Sequence, residues 1–136
     1  MTQKSNEDLD FEIEFYEELI QKYPHFADVL VALGESYTKK GRYEDGLKVD
    51  LELSRLRPDD PVVFYNLACS YSLLKKSDEA LDALAKALKK GYSEFSFMND
   101  DPDLAFIRSD RRYKKLLADT LTRLKEDDPD KAKAEK

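Results

Sequence analysis

Catalysis at neutral pH needs a titratable or nucleophilic side chain held beside its partners, and this 136-residue chain has only one histidine, His25, and one cysteine, Cys69. An imidazole is the usual general base. His25, however, lies between Pro24 and Phe26 in a break between helical stretches, with no nucleophile implied beside it, and reads as a surface loop residue. Cys69 follows the small Ala68 on an apolar helical stripe and reads as a partly buried structural thiol. A single copy of each excludes an internal disulfide and a His-rich metal site. The strings Asp59-Asp60 and Asp100-Asp101-Pro102-Asp103 are rich in carboxylates, but they lack the spaced aspartates, glycine and closing glutamate of a calcium loop. Helix capping accounts for them. With no Gly-rich phosphate loop and no paired Cys motif, the expectation is a protein that is not an enzyme and takes no metal or cofactor.

The elements that carry these residues follow from composition. Hydrophobic residues make up 41% and charged ones 38%, enough for a core inside a charged exterior. Four Gly and five Pro are too few for an all-β chain, which needs a turn residue about every eight to twelve positions, so the fold class expected is all-α. The apolar runs fall far short of the roughly 20 residues that span a bilayer, and no basic start leads into an apolar stretch. A soluble, cytoplasmic setting with no membrane partner is the expectation. A formal charge of -6 gives no footprint for phosphate backbones, which rules against nucleic acid.

Sliding the sequence along itself until Leu30 falls on Phe64 also brings Leu33, Gly34 and Tyr37 onto Leu67, Ala68 and Tyr71. Each quartet has the i, i+3, i+4, i+7 spacing of one helical stripe. In the same register Gly46-Leu47 falls on Ala80-Leu81 and Pro58 on Tyr92, and Pro24 lies one further period back. Each unit breaks once, at Lys40-Gly41-Arg42 and at Lys75-Lys76-Ser77. Gly41 suits a left-handed helix end and Ser77 a cap for the next helix. Two helices per unit follow, with Gly34 and Gly46, or Ala68 and Ala80, marking where they touch.

The period and these residues resemble the tetratricopeptide repeat, a unit of about 34 residues with a leucine-small-tyrosine signature in its first helix and a small residue opening its second. Leu33-Gly34-Tyr37 with Gly46 and Pro58 supply that signature once; Leu67-Ala68-Tyr71 with Ala80, Ala87 and Leu88 supply it again. Against the family pattern, Asp50 replaces a large aromatic, Leu53 an alanine, Lys75 the turn glycine and Tyr92 a proline. The resemblance implies a right-handed α-solenoid of antiparallel helix pairs. Within it, residues 1–7 are expected to be a flexible start, 8–24 a half repeat, 27–60 and 61–92 the full repeats, 93–125 a degenerate unit, and 126–136 a disordered charged tail. The half repeat carries Leu9, Ile13, Tyr16 and Ile20 on one stripe. The degenerate unit is expected to hold a helix from Ser93 to about Asn99 and a last one from Asp110 to about Lys125. Asp103 and Asp110 would be its caps, and Phe106, Ile107, Tyr113 and Leu117 its core. It looks like the terminal unit of many bacterial arrays of this family.

By the same resemblance, first helices line a concave groove, and the function implied is a protein-interaction module, an adaptor or scaffold. The candidate groove residues are Asp28, Val31, Glu35 and Thr38 in the first unit, with Ala32 beside them. In the second they are Val62, Tyr65, Asn66 and Cys69, with Ser72 and Leu73 beside them. Chaperone-binding relatives clamp a terminal carboxylate with lysines and asparagines. Asn66 matches one such position, but Val31 and Glu35 stand where the clamp has its first lysine and asparagine, and Glu35 would repel an acidic tail. The partner expected is therefore a protein or peptide segment, apolar or basic rather than acidic. A second reading is a homodimer through the half repeat, whose exposed face, for instance Phe11 and Phe15, is expected to have no successor to cover it. Between Met1 and Phe26 seven carboxylates face two lysines, so that helix holds most of the net charge.

Overall fold

The structure is a computed structural model and describes residues 5–127. Ser5 opens the first helix, its hydroxyl accepting from the Asp8 amide at 3.1 Å, and α1 runs Asn6–Lys22. The helix thus starts inside the stretch expected to be flexible. Its Leu9 and Ile13 are buried and Tyr16 and Ile20 half-buried, in the order the stripe demands. Next come α2, Ala27–Lys40, and α3, Tyr43–Leu56, joined by only two residues, so the pair must run antiparallel. The second pair is α4, Pro61–Leu73, and α5, Ser77–Lys89. A short α6, Phe95–Asp100, a 3-10 turn at Pro102–Leu104, a single-turn α7, Ala105–Arg108, and α8, Arg111–Asp127, close the C-terminal end. Residues 126 and 127, expected to belong to a disordered tail, are helical in α8; the rest of that expected tail, 128–136, lies outside the described residues.

Local chemistry sets these boundaries. Gly41 ends α2 with φ +84°, and the Arg42 amide reaches back to the Tyr37 carbonyl at 2.8 Å. The same closure recurs at Lys76 to Tyr71 and at Tyr92 to Ala87, both 2.9 Å. At the second of these endings the left-handed residue is Lys75, φ +61°, where a side chain is least welcome. Asp60 caps α4 through the Val62 amide at 2.9 Å, with Pro61 at the first helical position, where its missing N–H costs nothing. Ser77 does not cap α5: the cap position falls on Lys76, and Ser77 is already helical. Leaving the left-handed Lys75, the chain has room for only one extended residue before α5. Asp110 accepts from the Arg112 amide at 2.9 Å, as expected, whereas Asp103 does not cap. Asp101 takes that role, accepting from the Asp103 amide at 3.0 Å, because Pro102 must follow the cap and not precede it.

Each helix packs on the next, α1 on α2, α2 on α3, α3 on α4 and α4 on α5, which makes a helical repeat solenoid. A Cβ on Gly34 would stand 3.4 Å from Val49, so α2 and α3 approach more closely than two larger residues would allow. Two apolar clusters run along the array. One joins Ile13, Leu30, Leu33, Val49, Leu53 and Val63 across α1 to α4. The other fills the space between α4, α5 and the C-terminal turns, where Met98, Leu104 and Ile107 are fully buried and Tyr113 nearly so. Phe106, expected in that core, is exposed instead. On the single-turn α7 it is the next residue, Ile107, that takes the position facing the core. Leu117 packs against the cluster half-buried. Ion pairs tie helices at the surface, Lys40 of α2 to Asp10 of α1 at 3.0 Å and Arg112 of α8 to Asp78 of α5 at 2.8 Å.

Candidate functional site

The first helices α2 and α4 and the C-terminal turns enclose an open groove of about 620 Å³. Helical spacing places its lining. Val31, Glu35 and Thr38 succeed one another along α2; Val62, Tyr65, Asn66, Cys69 and Leu73 do so along α4. Asp28 is not part of this lining, and its carboxylate accepts from Arg57 at 3.0 Å. Ser72 is buried within the array and does not line the groove. One turn of α4 later than Cys69, Leu73 takes the open position.

Two of the expected contact residues form a wall rather than an open surface. Tyr65 is buried, its hydroxyl donating to Asp101 Oδ2 at 2.6 Å and its ring lying edge-on to Tyr92 at 4.2 Å between centroids. Burial, followed by the Asp101 acceptor, holds the Tyr65 phenol far above its ordinary pKa. The Cys69 thiol lies 3.8 Å from the same carboxylate oxygen. Burial first, then the charges of Asp101 and Asp103, raise its pKa well above the usual thiol value, so it stays protonated and a poor nucleophile. Ligand atoms of Cys69, Asp101 and Asp103 lie within 4.8 Å of one another, the spacing a metal would need. Asp101 already accepts from Tyr65 and the Asp103 amide, and Arg108 braces the turn by donating to the Asp101 carbonyl at 2.6 Å. What this arrangement does chemically is lock the C-terminal turn onto α4. His25 lies on the surface with Nδ1 3.7 Å from Glu52, remote from the groove lining.

The floor holds a group that sequence reasoning named only as a departure from the family. Asp50, on α3, is 8% exposed and lines the groove beside Gly34 and Ser70. Its Oδ2 accepts the Ser70 hydroxyl, and Oδ1 faces the bare backbone of Gly34, 3.4 Å from where a Cβ would stand. Burial pushes its carboxyl up to about 6, opposed by the Ser70 hydrogen bond. The groove as a whole is lined by Glu35, Asp50, Glu94, Asp101 and Asp103 against one cation, Lys39. Of the candidate residues, Glu35 was legible as repulsive to anions. Glu94, Asp101 and Asp103 come from the C-terminal turns, and no helical spacing predicts that they reach the groove.

Residues 63–94 match the family model for the tetratricopeptide repeat. A curated relative, a chloroplastic protein of Arabidopsis thaliana, is 36% identical over 87 residues, which is 62% of this chain and 26% of that protein. The chain spans about a quarter of the length of that relative. No helix among the described residues is long and apolar enough to cross a membrane. The matched span covers most of α4 and all of α5, which therefore form a tetratricopeptide repeat, and α2 with α3 repeats their two-helix plan one period earlier.

Proposed function

We propose that this chain is a non-enzymatic interaction module that holds an extended or helical segment of another protein in the groove between α2 and α4. One observation carries this reading: the groove is open, apolar along Val31, Val62 and Leu73, and lined by five carboxylates with a single lysine. Such a surface favours a segment that is apolar and basic and disfavours an acidic tail. The contact residues we assign are Val31, Glu35, Thr38, Val62 and Asn66, with Tyr65 and Cys69 supporting the wall behind them. Its role as an adaptor or scaffold follows from that binding, in a reducing compartment that suits a lone cysteine. The expected setting is the cytoplasm; the name of the Arabidopsis relative places that protein in the chloroplast.

Glu35 and Val62 are exposed and can be changed without touching the core. Glu35→Lys and Val62→Asp are expected to weaken capture of basic, apolar peptides about tenfold or more in fluorescence polarisation, with unchanged melting temperatures. Capture unaffected by both changes refutes the groove assignment. A second reading is self-association through α1, where Phe11 and Phe15, one turn apart, are 69% and 50% exposed. Sedimentation that stays monomeric across a wide concentration range excludes it.

A further inference from the structure

Asp50 is an unusual residue to bury. A carboxylate offers about four lone-pair sites, and here a single hydroxyl, that of Ser70, donates to it. None of the ion pairs among the described residues includes it, and Lys39, the one cation of the groove lining, is an exposed residue of α2. Burying a charge without a counter-ion is costly, and an apolar residue would serve packing better. The second unit uses one: at the matching position, one period on, Leu84 is fully buried. The first unit instead pairs a short polar side chain with a glycine, and Gly34, Asp50, Leu53 and Ser70 all contribute to the groove lining. Oδ1 of the carboxylate lies beside the Gly34 backbone, while the Ser70 hydroxyl donates to Oδ2.

We infer that the groove floor beside Asp50 forms a slot that receives one lysine or arginine side chain of the segment bound in the groove, with Asp50 as its counter-ion. The inference rests on the groove being the binding surface. An apolar stem fits against Leu53 and Val31, and the cationic head meets a carboxylate that the fold has already desolvated. A guanidinium or ammonium there exchanges the standing cost of a lone buried charge for a charge-assisted hydrogen bond. Because nothing among the described residues fills this role, the slot selects for a cation at one fixed place in the partner rather than for basic character in general.

Two measurements separate the slot from the groove. Butylguanidinium titrated into the isotopically labelled protein is expected to shift the Gly34 and Ser70 amide signals saturably, with butanol causing no comparable change and Asp50→Asn abolishing the effect. A twelve-residue displayed peptide library is then selected on the parent, on Asp50→Leu and on Val62→Asp. The parent is expected to enrich Lys or Arg at one position, and replacing that residue by norleucine to weaken binding about tenfold; with Asp50→Leu the same replacement changes it by less than about twofold. Asp50→Leu reproduces the residue of the second unit and Asp50→Asn keeps the shape, so one of them remains folded for the comparison. Absence of the butylguanidinium shift, or equal binding of the cationic and norleucine peptides by the parent, overturns the slot and leaves the groove intact. Peptides indifferent to Val62→Asp, or a library that yields no binder, overturn the groove and the slot together.

Discussion

Where the first repeat buries Asp50 against Ser70, the second has Leu84, and one period beyond Ser70 stands Leu104; both leucines belong to the C-terminal apolar cluster. The small residues differ in the same direction. Gly34 and Gly46 of the first unit become Ala68 and Ala80 in the second, both fully buried. The turn residues differ in the opposite direction, Gly41 in the first unit against a left-handed Lys75 in the second. One backbone plan therefore carries two interiors. The α4–α5 unit is packed for burial, and the α2–α3 unit gives up apolar contact where it faces the groove. In a solenoid each unit is held by its neighbours, so one unit can carry a polar floor while the other supplies the stability.

Forcing the first unit's chemistry into the second is the harshest test of this difference. Leu84→Asp removes a fully buried side chain, a loss of about 2–5 kcal/mol, and adds a carboxylate with a leucine where Ser70 would be needed. A total loss above about 4 kcal/mol in urea unfolding is expected, most of the stability of a protein at the lower end of the ordinary range of about 5–15 kcal/mol. A loss under about 2 kcal/mol would mean that the second unit tolerates a polar interior as readily as the first.

The reverse exchange is read through pH. Asp50 has a native pKa of about 6 against an ordinary value of 3.8, so the native state binds its proton more tightly than the unfolded chain. Below about pH 4 both states are protonated and the group is harmless. As pH rises towards 6 the unfolded state ionises first, and native stability falls by an amount on the order of 3 kcal/mol, fully lost above pH 6. Asp50→Asn removes this dependence. The stability difference between variant and parent is therefore expected to grow in the variant's favour between pH 4 and pH 7, by calorimetry or urea titration. The neighbouring ionisable groups, Glu35 and Lys39 on α2, Tyr65 and Cys69 on α4, and Tyr92, Glu94, Asp101 and Asp103 beyond them, are present in both proteins, so the comparison changes Asp50 alone. A difference that does not change with pH would show that Asp50 is solvated as an ordinary surface carboxylate.

Periodicity made most of the array legible, because the repeat register and the small-residue pairs are local consequences of helices that must touch. Leu33, Leu67, Gly41 and Ile13 behave as spacing alone demands. The site was legible only along α2 and α4. The position of Tyr65 on α4 predicts an open contact, but Asp101 and Tyr92 come over from the C-terminal end and bury it. Those turns have no helical period to read, and their position is set by Met98, Leu104 and Ile107 filling the end of the core. Asp50 was visible as an anomaly of residue type; its place in the groove floor depends on Gly34 across from it, a pairing between helices that one helix's pattern does not contain.

The turns provide a smaller contrast. A non-glycine residue in the left-handed region costs about 1–2 kcal/mol, and Lys75 carries that cost where Gly41 does not. Lys75→Gly is expected to raise the stability of the second unit by roughly 0.5–1 kcal/mol, after the greater flexibility glycine gives the unfolded chain is subtracted. Gly41→Lys should lower that of the first unit by a similar amount. Melts showing no opposition between the two would mean that helix packing, and not the turn residue, sets this geometry.

The smallest change bears most closely on function. Gly34→Ala copies the second unit's Ala68 into the first. Its Cβ would sit 3.4 Å from Asp50 Oδ1 and from a Val49 methyl, close enough that these neighbours must just accommodate it. Replacing glycine inside a helix gains roughly 0.5–1 kcal/mol through the unfolded state, so the variant is expected to melt slightly higher than the parent. The same methyl narrows the slot beside Asp50 Oδ1, and binding of a cationic peptide should weaken even as stability rises. Stability and binding moving in opposite directions at one methyl would identify the glycine as a concession to the groove. If both rise together, Gly34 serves helix approach alone, and the first unit's polar floor is not shaped for a partner side chain.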